Sequence, residues 1–163
     1  MDSTERLVRI RQLLAGLPGP YGNGQLWTVI RHADTSDPFP DAFALLTGVG
    51  VLDAGGPNGM PPQAPQDAAQ LSARMSEASQ EVALAVLIGM SSRTLAYGAP
   101  GRYPEERARD VFRTLVKLLG HGTRWWTNTD LVSWDPVTRH VMDALVIGMG
   151  CGVMLAVLAT DED

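Results

Sequence analysis

Residues 143–160 read DALVIGMGCGVMLAVLAT, and the fold turns on how they are read. Ala144 to Thr160 is a run of 17 residues without a charge. Glycines crowd its middle, at 148, 150 and 152. The spacing predicts two strands, about 140–148 and 152–160, joined by the link GMGCG. Both faces of such strands are apolar, so they belong at the centre of a sheet covered on its two sides. Two other readings stay open. The run is long enough for a buried helix. It also reaches the lower limit for a bilayer span, with Gly148 and Gly152 in the GxxxG spacing of packed membrane helices. Asp143 at its edge and its glycine and threonine content favour the hairpin.

Working outward, TRWWTNTDL at 123–131 alternates with period two and is rich in β-branched and aromatic residues, so it reads as a further strand. Before it, PEERARDVFRTLVKLLG at 104–120 is an amphipathic helix. Pro104 and two glutamates suit its start, Ala108, Val111, Phe112, Leu115 and Leu118 line one face, and Gly120 stops it. A helix also fits 4–16, where Leu7, Ile10 and Leu14 recur at helical spacing and Asp2 stands three residues before Glu5 as a cap. Leu26–Ile30 reads as a short strand, and DAFALLTGVGVLDAGG at 41–56 as a short helix followed by an extended piece. From Gln66 another helix is expected, with Leu71, Met75, Ala78 and Val82 in period. VALAVLIGM at 82–90 fits either a continuation of it or a buried strand. Residues 53–65, DAGGPNGMPPQAP, hold three Gly and four Pro and predict a flexible surface loop, a candidate hinge or lid. LAVLIGMSSRTLAY at 84–97 echoes DALVIGMGCGVMLAV at 143–157, as a duplicated unit would. The terminal DED is expected to be solvated. The sum is one α+β domain over 1–163, with helices packed on an antiparallel sheet that ends in a C-terminal β-hairpin.

The totals exclude several function classes. With net charge -5, a pI near 5.1 and no dense basic cluster, nucleic acid is not expected as a partner. A single cysteine, Cys151, rules out a disulfide or a multi-thiolate zinc site within one chain. The opening MDSTERLVRIRQLL has charges where a secretory signal would be apolar, so the cytoplasm is the expected compartment and a membrane is not. One lysine against twelve arginines, in an Ala- and Gly-rich chain, points to a GC-rich bacterial coding sequence. GMGCG lacks the Lys-Ser/Thr of a phosphate loop, and the histidines lack metal-ligand spacing. No cofactor and no metal are therefore expected.

Two functional readings follow. Trp125, Trp126 and Trp134 lie within ten residues. On an alternating strand, Trp125 and Trp126 face opposite ways. One enters the core. The other either anchors a partner, as tryptophan does in binding hot spots, or is covered by helix 66–80. An uncovered apolar face would favour self-association. The favoured reading is a non-catalytic binding or adaptor module for a protein partner or small ligand, working as a homo-oligomer.

The alternative starts from Arg31-His32, straight after the apolar strand. This pair resembles the signature of the histidine phosphatases. Arg93, within SSRT at 91–94, and His121, within GHG at 120–122, resemble that family's later Ser/Arg and His-Gly segments. The resemblance implies a phosphoester hydrolase, with His32 as nucleophile and Arg31 and Arg93 as anion clamps. The chain departs from that family in opening on a helix and in placing an amphipathic helix before His121.

Overall fold

The computed structural model describes residues 1–162 apart from Ala54, Gly56 and Leu131. Among the described residues, five α-helices pack on one six-stranded sheet. The helices are α1 (Ser3–Leu14), α2 (Phe39–Gly48), α3 (Ala68–Arg74), α4 (Gln80–Ser92) and α5 (Glu105–Leu119). The strands are β1 (Gly19–Tyr21), β2 (Gly24–His32), β3 (Ser76–Ala78), β4 (Arg124–Thr127), β5 (Met142–Gly150) and β6 (Val153–Asp161). Their order in the sheet is β1-β2-β6-β5-β4-β3, and every neighbouring pair is antiparallel.

The 143–160 run forms the β5–β6 hairpin at the middle of the sheet. Ala144, Val146, Val153, Leu155 and Val157 point to a face covered by α1, α4 and α5. Leu145, Ile147, Met154, Ala156 and Leu158 point to the other face, under α2 and α3. Covering both faces is what makes a continuous apolar run compatible with a strand. The connection is tighter than the expected five-residue link. Only Cys151 and Gly152 lie between the paired ends Gly150 and Val153, and both have positive φ, 50° and 77°. That is the backbone of a two-residue hairpin turn whose twist matches the strands. Gly148 belongs to β5 instead. The Trp125 ring lies against it, and a Cβ there would stand 2.6 Å from the ring.

The buried-helix and membrane-anchor readings of this run fall with the hairpin. Among the described residues no helix is long and apolar enough to cross a membrane.

The helix expected from Gln66 through Val82 is two helices with a strand between. α3 ends at Arg74, Met75 is extended, and Ser76–Ala78 forms β3 against β4. Ser79 then caps α4 by accepting from the Val82 amide at 3.2 Å. The local period survived across two caps, Asp67 and Ser79, that each start a separate helix. VALAVLIGM is thus helical, as the body of α4. The echo between 84–97 and 143–157 is no duplication, because the first copy is mostly helix and the second is a hairpin. β4 is shorter than the period-two pattern suggests and stops at Thr127, where Asn128 turns its side chain inward.

Ala54 and Gly56 of the expected flexible loop lie outside the described residues. The base of that loop is fastened: Asp53 accepts from the amides of Gln63 and Ala64, at 3.0 and 2.9 Å. The C-terminal acidic run is not wholly solvated. Asp161 is buried and accepts from the Ala96 amide at 3.0 Å, Glu162 pairs with His140, and Asp163 lies outside the described residues.

Candidate functional site

Asp143, at the start of β5, is buried in an otherwise apolar strand. Its carboxylate gathers the chain that follows β4. Oδ1 accepts from Asn128 Nδ2 at 2.7 Å, and Oδ2 accepts from the Thr138 amide and hydroxyl, both at 2.9 Å, and from the Val137 amide at 3.1 Å. Asn128 answers through its oxygen, which accepts from the Leu145 amide at 2.7 Å, and through a second donation to the Asp135 carbonyl at 3.0 Å. Burial raises the Asp143 carboxyl above the ordinary range, and the donors on Thr138, Val137 and Asn128 pull it part of the way back.

Asp143 thereby closes the excursion 128–138 at both ends. Within it, Asp130 accepts from the amides of Val132 and Ser133, at 2.9 and 2.8 Å, and makes the tip a fixed turn. Those amides hold its carboxyl below the usual carboxylate range. Thr129 and Trp134 face each other in a β-bridge across the turn. The Arg74 guanidinium ties the far side, donating to the carbonyls of Gln63 and Pro136.

The excursion, tied at these residues, presents Trp134 with 43% of its surface exposed, beside Val132 at 90%. Trp134 stands as a ridge between two depressions. On one side is an open groove of about 530 Å³ whose lining includes Glu77, Ser79, Val82, Thr127 and Asp130. On the other is a smaller hollow of about 110 Å³ against Leu95, Val132 and Met142. Glu77, Asp130, Asp135 and Arg74 are the charged residues of the larger groove among those described; Glu77 is paired with Arg124 at 3.0 Å, and Arg74 stands 4.0 Å from Asp135.

The other two tryptophans have different surroundings. Trp125 is 1% exposed and sits in the core under α4 and α5. Trp126 faces the opposite side at 6%, beneath α2 and α3, with its ring edge-on to Phe39 at 5.7 Å and the Arg124 guanidinium over it at 4.8 Å. The covered alternative holds for Trp126, so neither residue of this pair offers a free face.

The Arg/His set does not converge. Arg31 bonds Asp41 at 3.3 Å. His32 ends β2 opposite Val153, at the hairpin-tip end of the sheet. His121 lies in the turn after α5, next to Gly120, which approaches Cys151 at the same tip, and among the described residues no hydrogen bond or ion pair joins it to His32, Arg31 or Arg93. Arg93 caps the C-terminus of α4 near Asp161, at the other end of the hairpin, about 26 Å away along β6 at the usual rise. The wholly antiparallel sheet also differs from the α/β architecture that the resemblance implies.

Sequence reasoning missed the Asp143–Asn128–Thr138 network. A signal was present: a lone carboxylate abutting ALVI in a strand buried on both faces must be satisfied by donors brought from elsewhere. Comparison with protein-family models, with curated proteins and with solved structures finds no match for this chain.

Proposed function

We propose that this protein is a binding module, an adaptor that recognises an extended segment of a partner protein on Trp134 and the groove beside it. The observation that carries this reading is the held presentation of Trp134. A large aromatic with two rotatable bonds, fixed on a turn that Asp143 and Asp130 lock, loses little entropy when a partner covers it. The groove is open and mixes polar with apolar lining, which suits a peptide segment better than a small apolar ligand. Glu77 is paired with Arg124 and Asp135 stands 4.0 Å from Arg74, so the acidic excess of the groove rests on Asp130; it favours a segment carrying Lys or Arg, whose cation also stacks on an indole face. Self-association through an uncovered strand face loses its premise, because Trp126 is covered by this chain's own helices.

Fluorescence titration against an arrayed peptide library tests the reading. Binders should be enriched in a basic residue next to an apolar one, and Trp134→Ala should weaken them about thirtyfold, the loss typical of an aromatic anchor. Binding that ignores Trp134→Ala, or a library with no basic preference, would count against it.

A further inference from the structure

The second open feature lies at the opposite edge of the sheet. Among the described residues, β1 pairs only with Gly24–Leu26, so Trp27–His32 of β2 has β6 on one side and no strand on the other. Two hydrogen bonds fix which backbone groups face outward. The Ala33 amide donates inward to Gly152 of the hairpin, whereas the Ile30 carbonyl accepts from Arg11 on the open side, at 3.0 Å. Alternation then turns the N–H and C=O of Thr28, Ile30 and His32 outward. Among the described residues, only the Ile30 carbonyl of this set has a partner.

Exposed edges are usually blunted by lysine, proline or a bulge. Trp27-Thr28-Val29-Ile30 has none of these and is rich in strand-forming residues. A trough of about 330 Å³ runs beside it, walled by Leu14, Ala15 and Pro18. The charged residues of its lining are both arginines, Arg11 and Arg31. Among the described residues, the one carboxylate contact to these arginines is Asp41 on Arg31, at 3.3 Å between half-exposed side chains, a weak pair.

We infer that this edge is a strand-addition site for an extended acidic segment of a partner protein. The segment lies antiparallel or parallel along Thr28–His32 and completes the main-chain ladder there. Its side chains alternate between the Leu14–Pro18 wall and the Trp27, Val29 and Arg31 side, and a carboxylate neighbour satisfies Arg31. Arg11 is a placeholder. It holds the Ile30 carbonyl that an incoming amide would take, and once displaced its guanidinium is free to meet a second carboxylate. This site stands apart from the Trp134 groove and does not depend on it.

The test uses the full chain and labelled eight-residue peptides alternating Val with Glu, or Val with Lys, read by fluorescence anisotropy. The Glu peptide should bind roughly tenfold more tightly than the Lys peptide, and Arg31→Ala should remove most of that difference. N-methylation of one alternate set of peptide amides should abolish binding, while methylation of the other set should leave it intact. Hydrogen exchange at Thr28, Ile30 and His32 should slow on binding, and Trp134→Ala should change none of this. Equal binding of both charge types, tolerance of both methylated peptides, or no binding at all would overturn the inference. So would light scattering that shows a dimer dissolved by Thr28→Pro, because the edge would then belong to a second copy of the chain.

Discussion

The Asp143 carboxylate and the Asn128 side-chain amide meet at 2.7 Å inside the protein, and their contact fixes the excursion that carries Trp134. Both residues also bind backbone. Asp143 accepts from Val137 and Thr138, and Asn128 accepts from Leu145. One polar pair thus joins a strand end, a strand start and the loop between them.

Asp143→Ala should cost about 3 kcal/mol, because it strands several buried donors at once. Asn128→Ala should cost about 2 kcal/mol by leaving the Leu145 amide and part of the Asp143 carboxylate unpaired. Urea unfolding measures both. The loosened loop should also expose Trp134 further to acrylamide quenching before global unfolding. Unchanged midpoints for both variants would remove the network from its structural role.

A pH dependence follows from the raised carboxyl of Asp143. Its folded pKa lies above the unfolded value of 3.8. As pH rises past about 4, the unfolded chain releases this proton first while the folded chain retains it. The group therefore supports folding on the acid side, and that support declines as pH rises through its folded pKa. Asp130 and Glu77, both lowered, act in the opposite sense and lose their contribution on acidification. The signature of Asp143 alone is the wild-type stability minus that of Asp143→Asn. This difference should fall between pH 4 and neutrality, and a flat difference in urea midpoints would contradict the burial effect.

The three clustered tryptophans should separate by role. Trp125→Ala should destabilise by about 3 to 5 kcal/mol, as loss of a fully buried indole does. Trp134→Ala should cost under about 1 kcal/mol, because nearly half of its surface already meets solvent. Thermal melts distinguish the two, and equal losses would place Trp134 in the core rather than on a docking surface.

At the hairpin tip, Cys151 holds a φ of 50°, a region that asparagine and glycine enter more easily. Cys151→Asn creates the Asn-Gly pair preferred in such turns and should stabilise by about 0.5 kcal/mol. Gly148→Ala should do the reverse, by about 1 to 3 kcal/mol, since its new methyl meets the Trp125 ring at 2.6 Å. Chemical denaturation of the two variants should move in opposite directions.

Patterns carried within a few turns of chain were readable. Asp2 before α1, the apolar stripe of α5 and the glycine-centred hairpin each depend on neighbours close in sequence, and each appears at or near its expected bounds. The split of 66–82 into α3, β3 and α4 was not readable, because a three-residue edge strand has no periodicity of its own and exists only through pairing with Trp125–Thr127. The surroundings of Trp126 were undecidable for the same reason. Alternation says that two adjacent side chains diverge, but only the docking of α2 and α3 from 50 or more residues away determines which face is covered. The grip of Asp143 on Asn128 and Thr138, and the open edge of β2, are likewise products of long-range assembly. By itself the sequence determined an antiparallel α+β chain with a buried C-terminal hairpin. Tertiary structure alone decided which tryptophan and which strand edge meet solvent, since burial is settled by contacts distant in sequence, whereas helix and strand periods are settled locally.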